Sequence, residues 1–296
     1  MILVIGATGT LGTRVVRLLL ERHVEVRAAA RSAEALRRPA ALGASTVEVD
    51  VRDPGTLRSA LQDVDHVVAA YHGLVPPSRS NTPAAVDLDG TRALITAARA
   101  AGVEHLTHVS IFGAAPDHPI DFWRHKYTAE QTVMSSGLDH TIVRPTSFAE
   151  IHVLRLLGIP ITRGRPIPLI GRRPSPRNYV SADDVASVIV DAVVDGAHRG
   201  QAVEVVGPEN LTPPEVIRLL ERHLDRRARV IRLPRTVAAG TARVLRPLHP
   251  GVARLLELGA YLDVHGDPAA PDARSDRVVG PTSVADVVTA WATSIT

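Results

Sequence analysis

The chain has 296 residues, 45% hydrophobic and 22% charged, and a formal net charge of +3 with a sequence pI near 9.8. It is long enough to bury one large core or a core with a smaller appendage, and with no cysteine it has no disulfide, thiolate nucleophile or cysteine-held metal. Aromatic residues reach only 3%, the basic residues are spread along the chain, and no helix-turn-helix or zinc spacing is present, which argues against a nucleic-acid partner. No apolar run approaches the roughly 20 residues that cross a bilayer, and no secretory leader precedes the first strand. The expectation is a cytoplasmic protein without a membrane partner.

Ile2 to Ile5 is a short apolar run of the kind found in a parallel strand covered on both faces. Leu11, Val15, Leu18 and Leu19 then repeat at helical spacing. Between strand and helix stand Gly6, Gly9 and Gly12. The first suits a tight turn, the second leaves backbone amides open to a pyrophosphate, and the third lets helix and strand pack closely. A second strand, residues 23–31, arrives at the length of one strand-helix-strand unit, so the loop reads as a dinucleotide cradle with phosphates at a helix N-terminus.

That second strand ends in Arg31 and Ser32 where an NAD site usually carries an acid for the ribose 2′-hydroxyl. A guanidinium offers donors to a 2′-phosphate instead, so NADPH is expected in preference to NADH. The third strand, residues 45–51, ends in Asp50 and Val51. Asp50 could accept from an adenine amino group while Val51 covers the ring, or Asp50 and Asp53 could cap the helix at 54–61. A fourth strand, 65–71, runs into Tyr71, His72 and Gly73 and a Pro/Ser/Asn loop through Pro83, a place where open α/β sheets bind ligands.

A helix over 86–101 closes at Gly102, a fifth strand over 103–110 ends in Ser110, a helix over 121–137 carries Lys126, and a sixth strand ends at Pro145. Of the 34 basic residues, 33 are arginine, and Lys126 is the sole lysine.

The set formed by the glycine loop, Asp89 and Gly90, Ala101 to Val103, His108 to Ser110, Lys126 with Glu130, Ser136 to Leu138, Thr141 to Pro145 and the later segment Arg177 to Asp184 resembles the atypical short-chain dehydrogenase/reductase superfamily. Its NmrA-like branch, with NADPH-dependent quinone and isoflavone-type reductases, fits best. The resemblance implies a Rossmann-type doubly wound parallel sheet over residues 1–150, with a smaller substrate and lid region over 151–296 interleaved in one compact unit. It places the cofactor along Gly6, Thr8, Gly9, Thr10, Leu11, Gly12, Arg31, Ser32, Asp50, Val51, Ala69, Ala70, Lys126, Pro145, Thr146 and Phe148. It gives Lys126 the nicotinamide ribose and Ser110 the substrate oxygen.

In that superfamily a tyrosine four residues before the lysine transfers the proton, the two sharing one helix face. Here that position is Phe122, which has no proton to give. Tyr127 points about 140° away from position 122, which leaves Tyr71, His72 and His125 as other proton sources. The segment 154–177, with six arginines among Pro and Gly, reads as an irregular loop or lid. Residues 202–206, 213–224 and 229–233 read as a β-α-β continuation, 235–259 as one helix, and 280–291 as a final capped helix.

These readings converge on an NADPH-dependent reductase of a quinone, enone or related carbonyl, a monomer or homodimer acting on a small-molecule substrate. A non-catalytic NADP-binding sensor acting through a protein partner is the alternative. A nucleotide-sugar epimerase or dehydratase is disfavoured by the missing tyrosine.

Overall fold

The computed structural model describes residues 1–296 except 75–77, 79, 172–174, 271 and 296. In chain order its strands are β1 (Ile2–Ile5), β2 (Val26–Ala30), β3 (Ser45–Glu48), β4 (His66–Ala69), β5 (His105–Val109), β6 (Asp139–Pro145), β7 (Ser147–Phe148), β8 (Pro166–Ile170), β9 (Arg177–Val180), β10 (Ala202–Val206), β11 (Asn210–Leu211), β12 (Arg229–Leu233) and β13 (Arg277–Val279). The helices are α1 (Thr10–Glu21), α2 (Ala33–Ala41), α3 (Pro54–Ala60), α4 (Gly90–Ala101), α5 (Asp121–Met134), α6 (Ile159–Thr162), α7 (Ala182–Val194), α8 (Pro213–Leu224), α9 (Arg235–Leu245), α10 (Pro250–His265) and α11 (Val284–Ile295). Two further segments, Ala84–Asp89 and Glu150–Gly158, wind as wider π-type turns leading into α4 and α6.

The main sheet has eight strands in the order β13-β10-β6-β5-β4-β1-β2-β3. β1 pairs in parallel with β2 and β4, and β5 with β4 and β6. All four residues of β1 are buried, as a strand covered by helices on both faces requires. Strand order reverses between β1 and β4, so the carboxyl ends of these two strands form the switch point at which open α/β sheets take ligands.

The chain divides into two compact units. One comprises residues 1–76, 80–145 and 185–204, the other residues 77–79, 146–184 and 205–296. The first contains β1 to β6, and its core gathers Leu3, Leu57, Leu94, Leu106 and Ile142. The second has its own core of Val153, Leu157, Ile161, Ile167, Tyr179, Val216, Leu220 and Val288. Trp291 packs on Gly158 there, where a Cβ would strike its ring.

Three readings of the sequence require correction. Residues 154–177 are not an irregular lid: Val153, Leu157, Ile161 and Ile167 face the second core, so the segment winds as a helix and then forms β8 and β9. Arg172 and Arg173 of that segment lie outside the described residues, as do parts of the loop from Leu74 to Pro83. The helix expected over 235–259 is two helices, because Pro247 and Pro250 interrupt it and α10 restarts with proline in its first turn. β10 and β12 do not share a sheet: β12 pairs in parallel with β8. No described helix is long and apolar enough to cross a membrane.

Burial holds two imidazoles of β5 neutral. His105 is pushed down to about 4, chiefly by desolvation, and His108 well below its ordinary value by desolvation with Lys126 adding to it. In the unfolded chain both return toward the ordinary value of 6.5. The unfolded state therefore binds more protons below that pH. The stability they contribute is complete above pH 6.5 and is lost as pH falls toward 4, by up to about 1.4 kcal/mol per pH unit for each group. Urea midpoints should accordingly drop between pH 7.5 and pH 5. His105→Gln with His108→Gln should show a smaller drop than the wild type, and an equal drop would mean that these imidazoles do not contribute to it.

Candidate functional site

The glycine loop is held by backbone contacts that only glycine permits. Gly6 sits at φ +86, and a Cβ on it would collide with the carbonyl oxygen of Ala70, just past the end of β4. A Cβ on Gly12 would collide with the carbonyl of Gly6. Gly9 donates to Gly6 O at 3.0 Å, and Thr13 Oγ1 donates to the carbonyls of Ala7 and Gly9. Thr8 and Gly9 are exposed, Thr10 is half-buried and Leu11 is buried. No side chain caps α1, so its first amides face outward as an anion cradle, which fits a pyrophosphate. Ala69 is buried in the core, and Ala70 N donates to Ile5 O at 2.9 Å, tying β4 to the loop.

Beyond β2, Arg31 is exposed and its Nη1 donates to Asn81 Oδ1 at 3.2 Å. Ser32 stands exposed at the start of α2. Beyond β3, Arg52 grips Asp50, with Nε donating to Oδ1 at 2.8 Å, Nη2 to Oδ2, and the Arg52 amide to Oδ1 at 3.0 Å. These bonds, with a smaller contribution from the charge of Arg31, hold the Asp50 carboxyl below its ordinary range. Asp53 caps α3 by accepting from Gly55 N at 2.9 Å. Val51 is buried against Gly90, where a Cβ would strike it. Of the roles left open by the sequence, capping thus falls to Asp53, and the Asp50 carboxylate is engaged by Arg52.

The ends of β4 and β5 converge on Lys126. Its ammonium is buried, forms an ion pair with Asp87 at 2.9 Å, and donates to Val109 O at 2.9 Å and Tyr71 O at 3.2 Å. The other oxygen of Asp87 accepts from Gly73 N at 2.8 Å. Two of the lysine's N–H donors therefore meet backbone carbonyls, and the Asp87 carboxylate beside it balances its charge as an ion pair. The Phe122 ring centroid lies 6.0 Å from Nζ and meets His72 edge to face at 6.3 Å. Tyr71 bonds through its hydroxyl to Thr91 Oγ1 at 3.0 Å, and burial raises its phenol further from neutrality. His72 accepts from Leu74 N at Nδ1, at 3.2 Å, and burial lowers its pKa.

Ser110 follows β5, its amide donating to Val143 O at 2.7 Å and its buried Oγ making no hydrogen bond within the described residues. Both ring nitrogens of His108, two residues earlier on the same strand face, are likewise buried without a protein partner. His125 is occupied locally, with Nδ1 bonding Asp121 O at 2.7 Å in its own helix. Pro145 O accepts from Phe112 N at 2.9 Å in the first unit. Thr146 and Phe148 belong to the second unit, where Thr146 Oγ1 donates to Asn178 Oδ1 at 2.8 Å and Phe148 pairs with Val180.

Four residues near this site escaped the reading of the sequence. Asp87 carried a signal: it shares the buried stripe of Val86, Gly90, Thr91 and Leu94, where a carboxylate needs a cation. Arg52, Asn81 and His108 had no distinguishing local pattern. The fold brings Asn81 to Arg31 and His108 within the field of Lys126, while Arg52 bonds Asp50 from two residues away.

Residues 6–196 match the family model described as NAD(P)H-binding. The chain is 36% identical over 232 residues to the NAD(P)H azoreductase of Xenophilus azovorans, covering 78% of this chain and 76% of the relative. It is 30% identical over 239 residues to the photosystem II assembly factor Ycf39 of Synechocystis, covering 80% and 71%. The structure of the Escherichia coli NADPH-dependent quinone oxidoreductase complexed with NADPH superposes with a TM-score of 0.75 at 21% identity, covering 98% of this chain and 99% of that one, and so shares its fold.

The buried pair makes a prediction about stability. Lys126→Met or Asp87→Leu alone leaves one buried charge without its partner and should cost about 3 to 5 kcal/mol in urea unfolding. The double variant should cost clearly less than the sum of the two. Additive losses would show that the two charges do not depend on each other.

Proposed function

The chain belongs to the NAD(P)H-binding family, within the atypical short-chain dehydrogenase/reductase superfamily, and from that premise we propose that it is an NADPH-dependent reductase of a quinone, conjugated enone or related carbonyl. The observation that carries this reading is Phe122 beside Lys126, in the position where the superfamily's proton-donating tyrosine would stand. Bound NADPH supplies the hydride. The outward amides of Thr10 to Gly12 would hold its pyrophosphate, and Arg31 its 2′-phosphate. Lys126 holds the ends of β4 and β5 and would reach a ribose hydroxyl of the cofactor by exchanging its longest bond, that to Tyr71 O. Ser110 Oγ, buried and without a hydrogen-bond partner among the described residues, would donate to a substrate oxygen.

The proton is the limiting resource. Phe122 has none, the Tyr71 phenol is raised by burial and tied to Thr91, and His125 is bonded within its own helix. Acceptors whose reduced anion is stabilised by conjugation can take hydride here and collect their proton from solvent. A simple ketone, whose alkoxide needs a proton as it forms, fits this site less well.

A second reading has one observation in its favour, the similarity to a relative named as an assembly factor. In that reading the chain binds NADPH and signals to a protein partner. NADPH oxidation against a panel of quinones, enones and aldehydes, run beside a cofactor titration, separates the two. Turnover with quinones or enones supports the reductase, and tight binding without turnover on any acceptor removes it.

Arg31→Ala should lower affinity for NADPH by about tenfold to a hundredfold while leaving NADH nearly unchanged, since a charge-assisted bond contributes about 1.5 to 3 kcal/mol. An unchanged NADPH to NADH ratio would remove Arg31 from the 2′-phosphate site.

A further inference from the structure

The second unit carries a pole of charge and exposed apolar surface that the cofactor chemistry does not use. From Arg226 to Leu256 there are eight arginines, no acidic residue and no Phe, Trp or Tyr. The whole chain is only +3, so everything outside this stretch is net negative. Arg235 pairs with Asp263, and Arg246 with Glu257, which stiffens the α9–α10 hairpin. Arg229, Arg232 and Arg243 are exposed.

The same stretch exposes its aliphatic side chains. α9 buries only Ala238 and Ala242 of its 11 residues. Val237, Thr241 and Val244 fall within about 60° of arc on a different face, and Leu248 extends the series in the turn that follows. Val237 is 48% exposed, Val244 71% and Leu248 59%. Arg235 and Arg243 lie more than about 100° around the helix from that ridge. An apolar ridge opposite arginines, on a helix that itself carries no acidic residue, is the pattern of a helix that lies in a lipid interface rather than crossing it.

We propose that this face of the second unit docks on an anionic lipid surface, with Val237, Val244 and Leu248 entering the acyl boundary and the arginines meeting headgroup phosphates. Charge selects the occupant. A symmetric second copy would set arginines against arginines. A protein partner would need both a matching acidic face and pockets shaped to Val237, Val244 and Leu248. Headgroup phosphates supply the complementary charge, and acyl chains accept aliphatic side chains without shaped pockets.

Flotation of the full chain with phosphatidylcholine vesicles, with and without phosphatidylglycerol, tests the proposal. The protein should float with the anionic vesicles and not with the neutral ones, and added salt should weaken the association. Val244→Asp with Leu248→Asp should lower binding by at least about tenfold, the factor that burial of one such side chain is worth. Unchanged NADPH binding would show that the variant is folded, and the milder pair Val237→Ser with Val244→Ser serves if it is not. No flotation of the wild type, equal flotation with both vesicles, or unaltered binding of the variants would overturn the proposal. So would binding of soluble polyglutamate that matches vesicle binding and ignores the aspartate substitutions, since the surface would then recognise acidic chains by charge alone.

Discussion

A single buried ion pair organises the candidate site. Lys126 and Asp87 meet at 2.9 Å with almost no exposure, and an ammonium so placed is tolerable only because the carboxylate balances its charge and its donors have acceptors nearby. Those donors also reach Val109 O and Tyr71 O, while Asp87 holds Gly73 N. One pair thus ties α5, the ends of β4 and β5, the turn at Gly73 and the wide helical turn of Ala84–Asp89. The position of Phe122, the ring of His72 and the outlet of Ser110 depend on that junction.

The arrangement separates positioning from proton transfer. Lys126 stands on α5 and Ser110 just past β5, while the position four residues before the lysine holds the phenyl ring of Phe122. Nearby groups that could replace it are buried, bonded, or both: the Tyr71 hydroxyl holds Thr91, and the His72 Nδ1 accepts from Leu74. Under the proposed reductase function, such a site would favour acceptors with self-stabilised anions over those that need a demanding protonation. At the far end of the nucleotide cradle, Arg52 neutralises Asp50, so that Arg31 does not face an uncompensated carboxylate.

Much of the first unit was legible because local rules and the global fold agree there. The apolar run of β1, the helical repeat of α1 and the glycines between them each satisfy a short-range requirement, and each fell where the sequence placed it. Legibility failed where tertiary contacts overrode local composition. Arginine, proline and glycine made residues 154–177 look like a loop, yet Leu154, Leu157, Ile161 and Ile167 among them are buried in the second core. The helix beyond Arg235 was read through Pro247 and Pro250, whose effect on the backbone ends α9 and starts α10.

The sequence by itself determined that the chain has a glycine-loop nucleotide fold, that its sole lysine stands on the helix after the fifth strand, and that no tyrosine precedes it by four residues. Those facts are set by residue identity and near-neighbour spacing. Only the tertiary structure decided that Asp87 is the lysine's counter-ion, that Arg31 meets Asn81, and that the ring nitrogens of His108 are buried without a hydrogen-bond partner among the described residues. Residues 39 apart in Lys126 and Asp87 have no sequence signature of contact. Their pairing arises because folding removes both charges from water and leaves each as the other's available compensation.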